Sequence, residues 1–139
     1  MEDDVAVAIV GGGFSGIGMA IRLRQAGVGD FVVLDRGERV GGTWRDNTYP
    51  GAACDIPSHL YSFSFAPNPG WSRAYSAQAE IEQYLQACVD RFGLAGHFRF
   101  GQDVTDAAFD EPAGRWRLRT AAGGSLTARV LAWATGPLS

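Results

Sequence analysis

The chain has 139 residues, of which 46% are hydrophobic and 19% charged, with a net charge of −3. That length and balance suit one globular domain with a core of its own. The acidic balance argues against nucleic acid or an anionic membrane surface as the general partner, and no apolar run approaches the ~20 residues of a membrane span.

The chain starts MEDDVAVAIVGGG, acidic before its apolar stretch. A secretory signal would start basic and end in a small-residue cleavage site. Cys54 and Cys88 are too few for a disulfide framework. A reduced, cytoplasmic setting is the default for such a chain. Glycine occurs 19 times in 139 residues, about twice the usual share of roughly 7%. The placement of these glycines therefore needs a reason.

Val5–Val10 is a short continuous apolar run, the pattern of a fully buried parallel strand. It ends in GGGFSGIG. A helix is expected from Phe14 to Ala26, with Ile17, Ala20 and Ile21 on one face and Gly27 as its stop. Phe31–Leu34 reads as a second buried strand, closing on Asp35. Strand, glycine turn, helix and strand together make a right-handed βαβ unit. A loop without helical or strand period then runs from Val40 toward Leu60. Its end, LYSFSF, alternates Tyr61, Phe63 and Phe65 with serines, as a short strand does. Ser76 is expected to cap a helix from Ala77 to Phe92, with Ile81, Leu85, Cys88, Val89 and Phe92 on its apolar stripe. His97–Phe100 is a candidate third parallel strand. The last forty or so residues read as an antiparallel meander. Its final strand should run on into a buried stretch, Val130–Ala134.

Gly11, Gly13 and Gly16 form G-x-G-x-x-G between a strand and a helix. In that context the first glycine permits the tight turn. The second lets a pyrophosphate approach the backbone, and the third lets helix and strand pack closely. The helix N-terminus offers free N–H groups and partial positive charge. Asp35, 24 residues after Gly11, stands where a carboxylate accepts hydrogen bonds from a ribose diol. Arg36 beside it reads as a solvated loop charge rather than a partner for a 2′-phosphate. The motif alone does not separate FAD from NAD.

The loop starts beside that nucleotide end and is rich in aromatics and poor in charge, which argues against disorder. Trp44, Asp55 and Tyr61 are groups able to shield, bond and pack a planar ring. From the chemistry alone, a functional loop and a structural Ω-loop are both open.

The stretch VGGTWRDNTYPGAACDIPSHLYSFSF resembles the FAD-domain segment of class B flavoprotein monooxygenases, most closely the Baeyer–Villiger monooxygenases. The matching parts are G-G-T-W, Y-P-G-x-x-x-D and Y-S-F-S-F. The closing ATGPLS resembles that family's second FAD motif. The resemblance implies a Rossmann-like α/β domain, residues 1–139, in three layers: helices, a parallel sheet and a three-stranded β-meander. It implies FAD, with Gly11, Gly13, Ser15 and Gly16 on the pyrophosphate and Asp35 on the adenosine ribose, where the family more often has glutamate. Gly42, Thr43 and Trp44 would line the flavin side. Tyr61 would bond the cofactor, and Val104 would meet the adenine through its backbone. Asp55 would be catalytic, orienting an arginine from downstream sequence near the reactive edge of the flavin. In that family NADPH reduces the flavin, O2 adds to give a peroxyflavin, and one oxygen atom passes to a ketone or a soft heteroatom. This chain has no second G-x-G-x-x-G for NADPH and no oxygenation fingerprint. It therefore reads as a fragment that is inactive alone. The rival readings are an N- or S-oxygenating relative, a non-catalytic nucleotide-binding module, and an NAD-dependent reductase. For the last, no catalytic Tyr/Lys or His arrangement is present.

The remaining candidates read as structural. His59 has no visible base partner. Cys54 lies next to Asp55, which disfavours its thiolate. Cys88 belongs to an apolar helix stripe. His97 and the cysteines show no metal spacing. Arg115, Arg117 and Arg119 alternate with Trp116 and Leu118 as one wet and one buried face of a strand.

Overall fold

The computed structural model describes residues 3–54, 56–58, 61–68 and 70–136. Six strands form one sheet in the order β3-β2-β1-β6-β5-β4. Strand β1 (Asp3–Val10) leads through a glycine turn into helix α1 (Phe14–Gln25), which returns the chain to β2 (Phe31–Leu34). β1 and β2 pair in parallel, Val7 with Phe31 through Val10 with Leu34. A short helix α2 (Thr43–Asp46) and a longer helix α3 (Gln78–Arg91) precede β3 (Phe98–Arg99), which adds in parallel to β2. Then β4 (Val104–Asp110), β5 (Arg115–Thr120) and β6 (Ser125–Trp133) form the meander. β6 joins the two parts of the sheet. Its first half pairs antiparallel with β5, and its whole length pairs parallel with β1.

Alternation along the central strands feeds two cores, because successive side chains point to opposite faces. Ile9, Phe31 and Val33 join Ile17, Ile21, Ile81 and Leu85 of the helices. Ala8, Val10, Val32 and Leu34 join Leu118, Leu126 and Ala128 of the meander. Both faces of β1 and β2 are thus covered, which is why their sequences are continuously apolar. The fold is a Rossmann-like α/β arrangement with an antiparallel meander, as the sequence implies. In β5 the alternation is visible directly: Leu118 is buried while Arg117 and Arg119 are exposed. No helix among the described residues is long and apolar enough to cross a membrane.

Several local expectations shift. α3 begins at Gln78, and Ala77 precedes it without any side-chain cap. Ser76 is buried instead, its Oγ 2.5 Å from that of Ser58. A buried hydroxyl takes the nearest partner, and here the folded-back loop supplies one. The 40–65 stretch is not wholly irregular, since it contains α2. Phe63 and Ala66 form an isolated bridge around a tight turn in place of the expected short strand. The third parallel strand shortens to Phe98–Arg99, with Ala95–His97 coiled into a 3-10 turn before it. The end of β6 is less buried than its apolar run suggests: Val130 is 53% and Trp133 60% exposed. Pairing with β1 satisfies the backbone of β6, but burial of side chains needs a layer over each face.

Candidate functional site

A cleft of about 500 Å³ opens at the carboxyl ends of β1 and β2, between the β1–α1 turn and the loop that follows β2. This is where ligands bind in doubly wound sheets. The β1–α1 turn is built from close backbone approaches. Gly11 has φ +112, and a Cβ there would stand 2.3 Å from the Ala134 carbonyl oxygen. A Cβ on Gly16 would stand 1.8 Å from the Gly11 carbonyl oxygen. Both glycines are therefore dictated by the protein itself.

Gly13 is different. Its backbone is extended, at φ −91. A Cβ there would meet nothing nearer than Gly42 Cα at 3.5 Å, an ordinary contact. The fold would accept alanine at this position, and Gly13 borders the cleft. The start of α1 points the same way. The helix has no side-chain cap and no acidic residue in its first turn, so its leading N–H groups stay available to an anion.

The second loop docks onto the first through glycine. Gly41 N–H donates to the Gly12 carbonyl at 3.0 Å. A Cβ on Gly42, whose φ is +54, would lie 3.1 Å from Gly13 Cα. This contact carries α2, and with it Thr43 and Trp44, to the mouth of the cleft. Trp44 Nε1 donates to Tyr61 Oη at 2.9 Å, and the two rings meet edge to face at 5.7 Å. Tyr61 also meets Phe14, at the start of α1, at 4.9 Å. Phe63 lies against Gly18 on α1, where a Cβ would come within 2.9 Å of its ring. Gln78 Nε2 donates to the Trp44 carbonyl, tying α2 to α3.

Asp35 closes the other end of the cleft and is only 5% exposed. Its Oδ2 accepts from Gly12 N–H at 2.8 Å, and its Oδ1 accepts from Gly37 N–H at 2.8 Å. Arg45, 9% exposed, donates through Nη1 to the same Oδ1 at 2.8 Å and to the Arg39 carbonyl at 2.7 Å. Its Nε donates to Asp46 at 2.7 Å. Burial pulls the Arg45 guanidinium pKa down, but the bonds to Asp46 and Asp35 outweigh it and raise the pKa above its ordinary value. Asp46 is held below the usual carboxylate range chiefly by its bond to Arg45.

Of the residues singled out from sequence, Gly11, Gly13, Ser15 and Asp35 line the cleft. So do Gly42, Thr43, Trp44, Tyr61 and Val104. Gly16 is buried beneath the turn and acts by packing. Asp55 and His59 lie outside the described residues. Arg36 is exposed at the rim. Cys54 and Cys88 are buried free thiols. His97 Nδ1 lies 3.0 Å from the Phe31 carbonyl, with its ring stacked on Phe31. Sequence reasoning missed Arg45, Gly37, Gly41 and Trp133. A signal for Arg45 was present: it is a charged residue directly after the tryptophan of a charge-poor loop.

Residues 9–77 match the family described as NAD(P)-binding Rossmann-like domain. The chain is 55% identical over 139 residues to a Baeyer-Villiger monooxygenase of Streptomyces coelicolor, covering 100% of this chain and 27% of that protein. Among solved structures it is similar to cyclohexanone monooxygenase from Rhodococcus sp. Phi1 bound to NADP+, with TM-score 0.94 and 38% identity over 100% of this chain and 27% of that one. It is also similar to OTEMO in complex with FAD and NADP, with TM-score 0.91 and 32% identity over 100% of this chain and 27% of that one. The chain thus spans about a quarter of the length of these relatives. The likeness to Baeyer–Villiger-type flavin monooxygenases therefore runs over the whole of this chain and about a quarter of theirs.

Proposed function

We propose that residues 1–139 form the FAD-binding part of an NADPH-dependent flavin monooxygenase that adds one oxygen atom from O2 to a ketone. The observation that carries the reading is Gly13, a glycine that the fold itself does not need, set at the helix mouth of the cleft. The residues present suit a flavin dinucleotide. Gly11, Gly13, Ser15 and the leading N–H groups of α1 would hold the pyrophosphate, on the packing that Gly16 allows. Asp35 would hold the adenosine ribose, and Val104 would meet the adenine through its backbone. Gly42, Thr43 and Trp44 would line the flavin side, with Tyr61 bonding the cofactor.

When bound, FAD supplies the redox and oxygen chemistry, and the protein supplies binding, orientation and exclusion of water. Trp44 and Tyr61, locked to each other and to Phe14, form a stiff aromatic wall that shields one side of the ligand. Asp55 would orient a cationic group beside the flavin. NADPH and the ketone would be met by sequence beyond this chain. The cyclohexanone monooxygenase likeness supports a ketone as substrate, and two buried free thiols suit a cytoplasmic setting.

The test is to purify residues 1–139 and record the absorbance of the eluted protein, then titrate FAD and NAD+ by calorimetry. Bound or bindable FAD with no response to NAD+ supports the reading. Binding of NAD+ alone, or of neither by a chain with native circular dichroism, overturns it.

A further inference from the structure

The sequence expectation for Asp35 is a carboxylate that faces both hydroxyls of a ribose. The geometry is more restrictive. An ionised carboxylate has about four acceptor positions. At Asp35, Gly12 N–H takes one on Oδ2, while Gly37 N–H and Arg45 Nη1 take the two on Oδ1. One position on Oδ2 remains. Two glycines make room for this arrangement. A Cβ on Gly37 would stand 2.3 Å from Arg45 Nη1, and a Cβ on Gly41 would stand 2.9 Å from Arg45 Cβ. The guanidinium is also pinned by the Arg39 carbonyl and by Asp46. It is a built feature of the loop.

We propose that Arg45 is a positioning residue for Asp35: it occupies Oδ1 and so restricts the carboxylate to a single ribose hydroxyl, through Oδ2. The proposal rests on the nucleotide reading above. It also gives the G-G-T-W-R segment a second role. The same short helix that places Trp44 on the flavin side sets the acid on the adenosine side. A planar, always-charged fork performs this because it bonds Asp35, Arg39 and Asp46 together, which a lysine ammonium on a flexible stem does not reproduce.

The experiment compares ADP, 2′-deoxy-ADP and 3′-deoxy-ADP binding to the full chain by calorimetry. The native chain is expected to lose about tenfold in affinity for one deoxy analogue, the worth of a hydrogen bond to a charged group, and under about twofold for the other. In Arg45→Met the two analogues are expected to differ by less than about twofold, because the freed carboxylate can turn or accept from either hydroxyl. A purely structural loss would weaken all three ligands together and leave their ratios unchanged. Equal losses for both analogues in the native chain, or unchanged ratios in the variant, overturn the proposal. A native chain that binds no ADP overturns the nucleotide reading, and the proposal with it. If Arg45→Met does not fold, Arg45→Lys gives the same readout, with a discrimination between those of the native chain and of no preference expected.

Discussion

At the end of the sheet that carries the cleft, the chain is held by backbone pressed on backbone and by one buried ion pair. Gly16 sits on Gly11, Gly42 sits on Gly13, and Asp35 is closed by Arg45. The first strand's other end and the meander are held differently. Alternating side chains fill one face there, and the ion pairs lie in water, as in Arg99 with Asp3 and Arg115 with Asp4. The first arrangement tolerates almost no change in atoms but leaves a concave surface open. The second tolerates change and holds a smaller cavity of about 330 Å³, beside Arg117, Thr120 and Gly124. Precision in this molecule is concentrated around the cleft.

The sharpest way to break that contrast is Gly16→Ala. Its new methyl would stand 1.8 Å from the Gly11 carbonyl, and overpacking of that kind costs about 3 kcal/mol or more, read from urea denaturation. Gly13→Ala separates the ligand from the fold. Unfolding free energy should change by less than about 1 kcal/mol, while FAD affinity falls about tenfold or more through a blocked approach. Equal damage to stability from both changes would remove the distinction drawn between the two glycines.

A smaller effect concerns alkaline pH. Burial pushes the Tyr84 phenol well above its ordinary 10.0 and the Cys88 thiol above its ordinary 9.0. Both groups belong to the helix-side core. Each stays protonated in the fold after the unfolded chain has begun to ionise, so the unfolded state is favoured as pH rises. Stability should be flat below about pH 9 and then fall by at most about 1.4 kcal/mol per pH unit for each group. Denaturation curves across that range check this, and Cys88→Ala should delay the onset. The smallest effect is expected at the solvated end. Arg99→Ala, which breaks an exposed pair, should cost less than about 0.5 kcal/mol, and that cost should shrink further as salt is raised. A cost near that of a buried pair would show that the two ends are not held differently after all.

The parts of the fold that were legible in the sequence are those with a short-range cause. β1, α1 and β2 follow from apolar runs and a glycine turn, and the meander follows from turn signals between alternating segments. The misread parts depend on contacts distant in sequence. Ser76 looks like a cap because it precedes a helix, yet Ser58 lies against it in the folded loop. Val130 and Trp133 look like core because they are apolar, yet both are more than half exposed, Trp133 at the cleft. That Gly13 and Asp35 line one cleft was legible from spacing, whereas Arg45 showed only a local hint, a charge after Trp44, because the partner that fixes it lies across a turn.

By itself the sequence determined where the backbone must turn, which faces are apolar, and which family the loop resembles. Those are consequences of local conformational preference, periodicity and a specific string of residues. Only the tertiary structure decided that the two glycine loops dock on each other, that Gly37 and Gly41 exist to admit Arg45, and that Asp35 keeps a single acceptor open. Each of these depends on distances between atoms far apart in the chain. Steric exclusion and hydrogen-bond capacity act only once the fold has brought those atoms together.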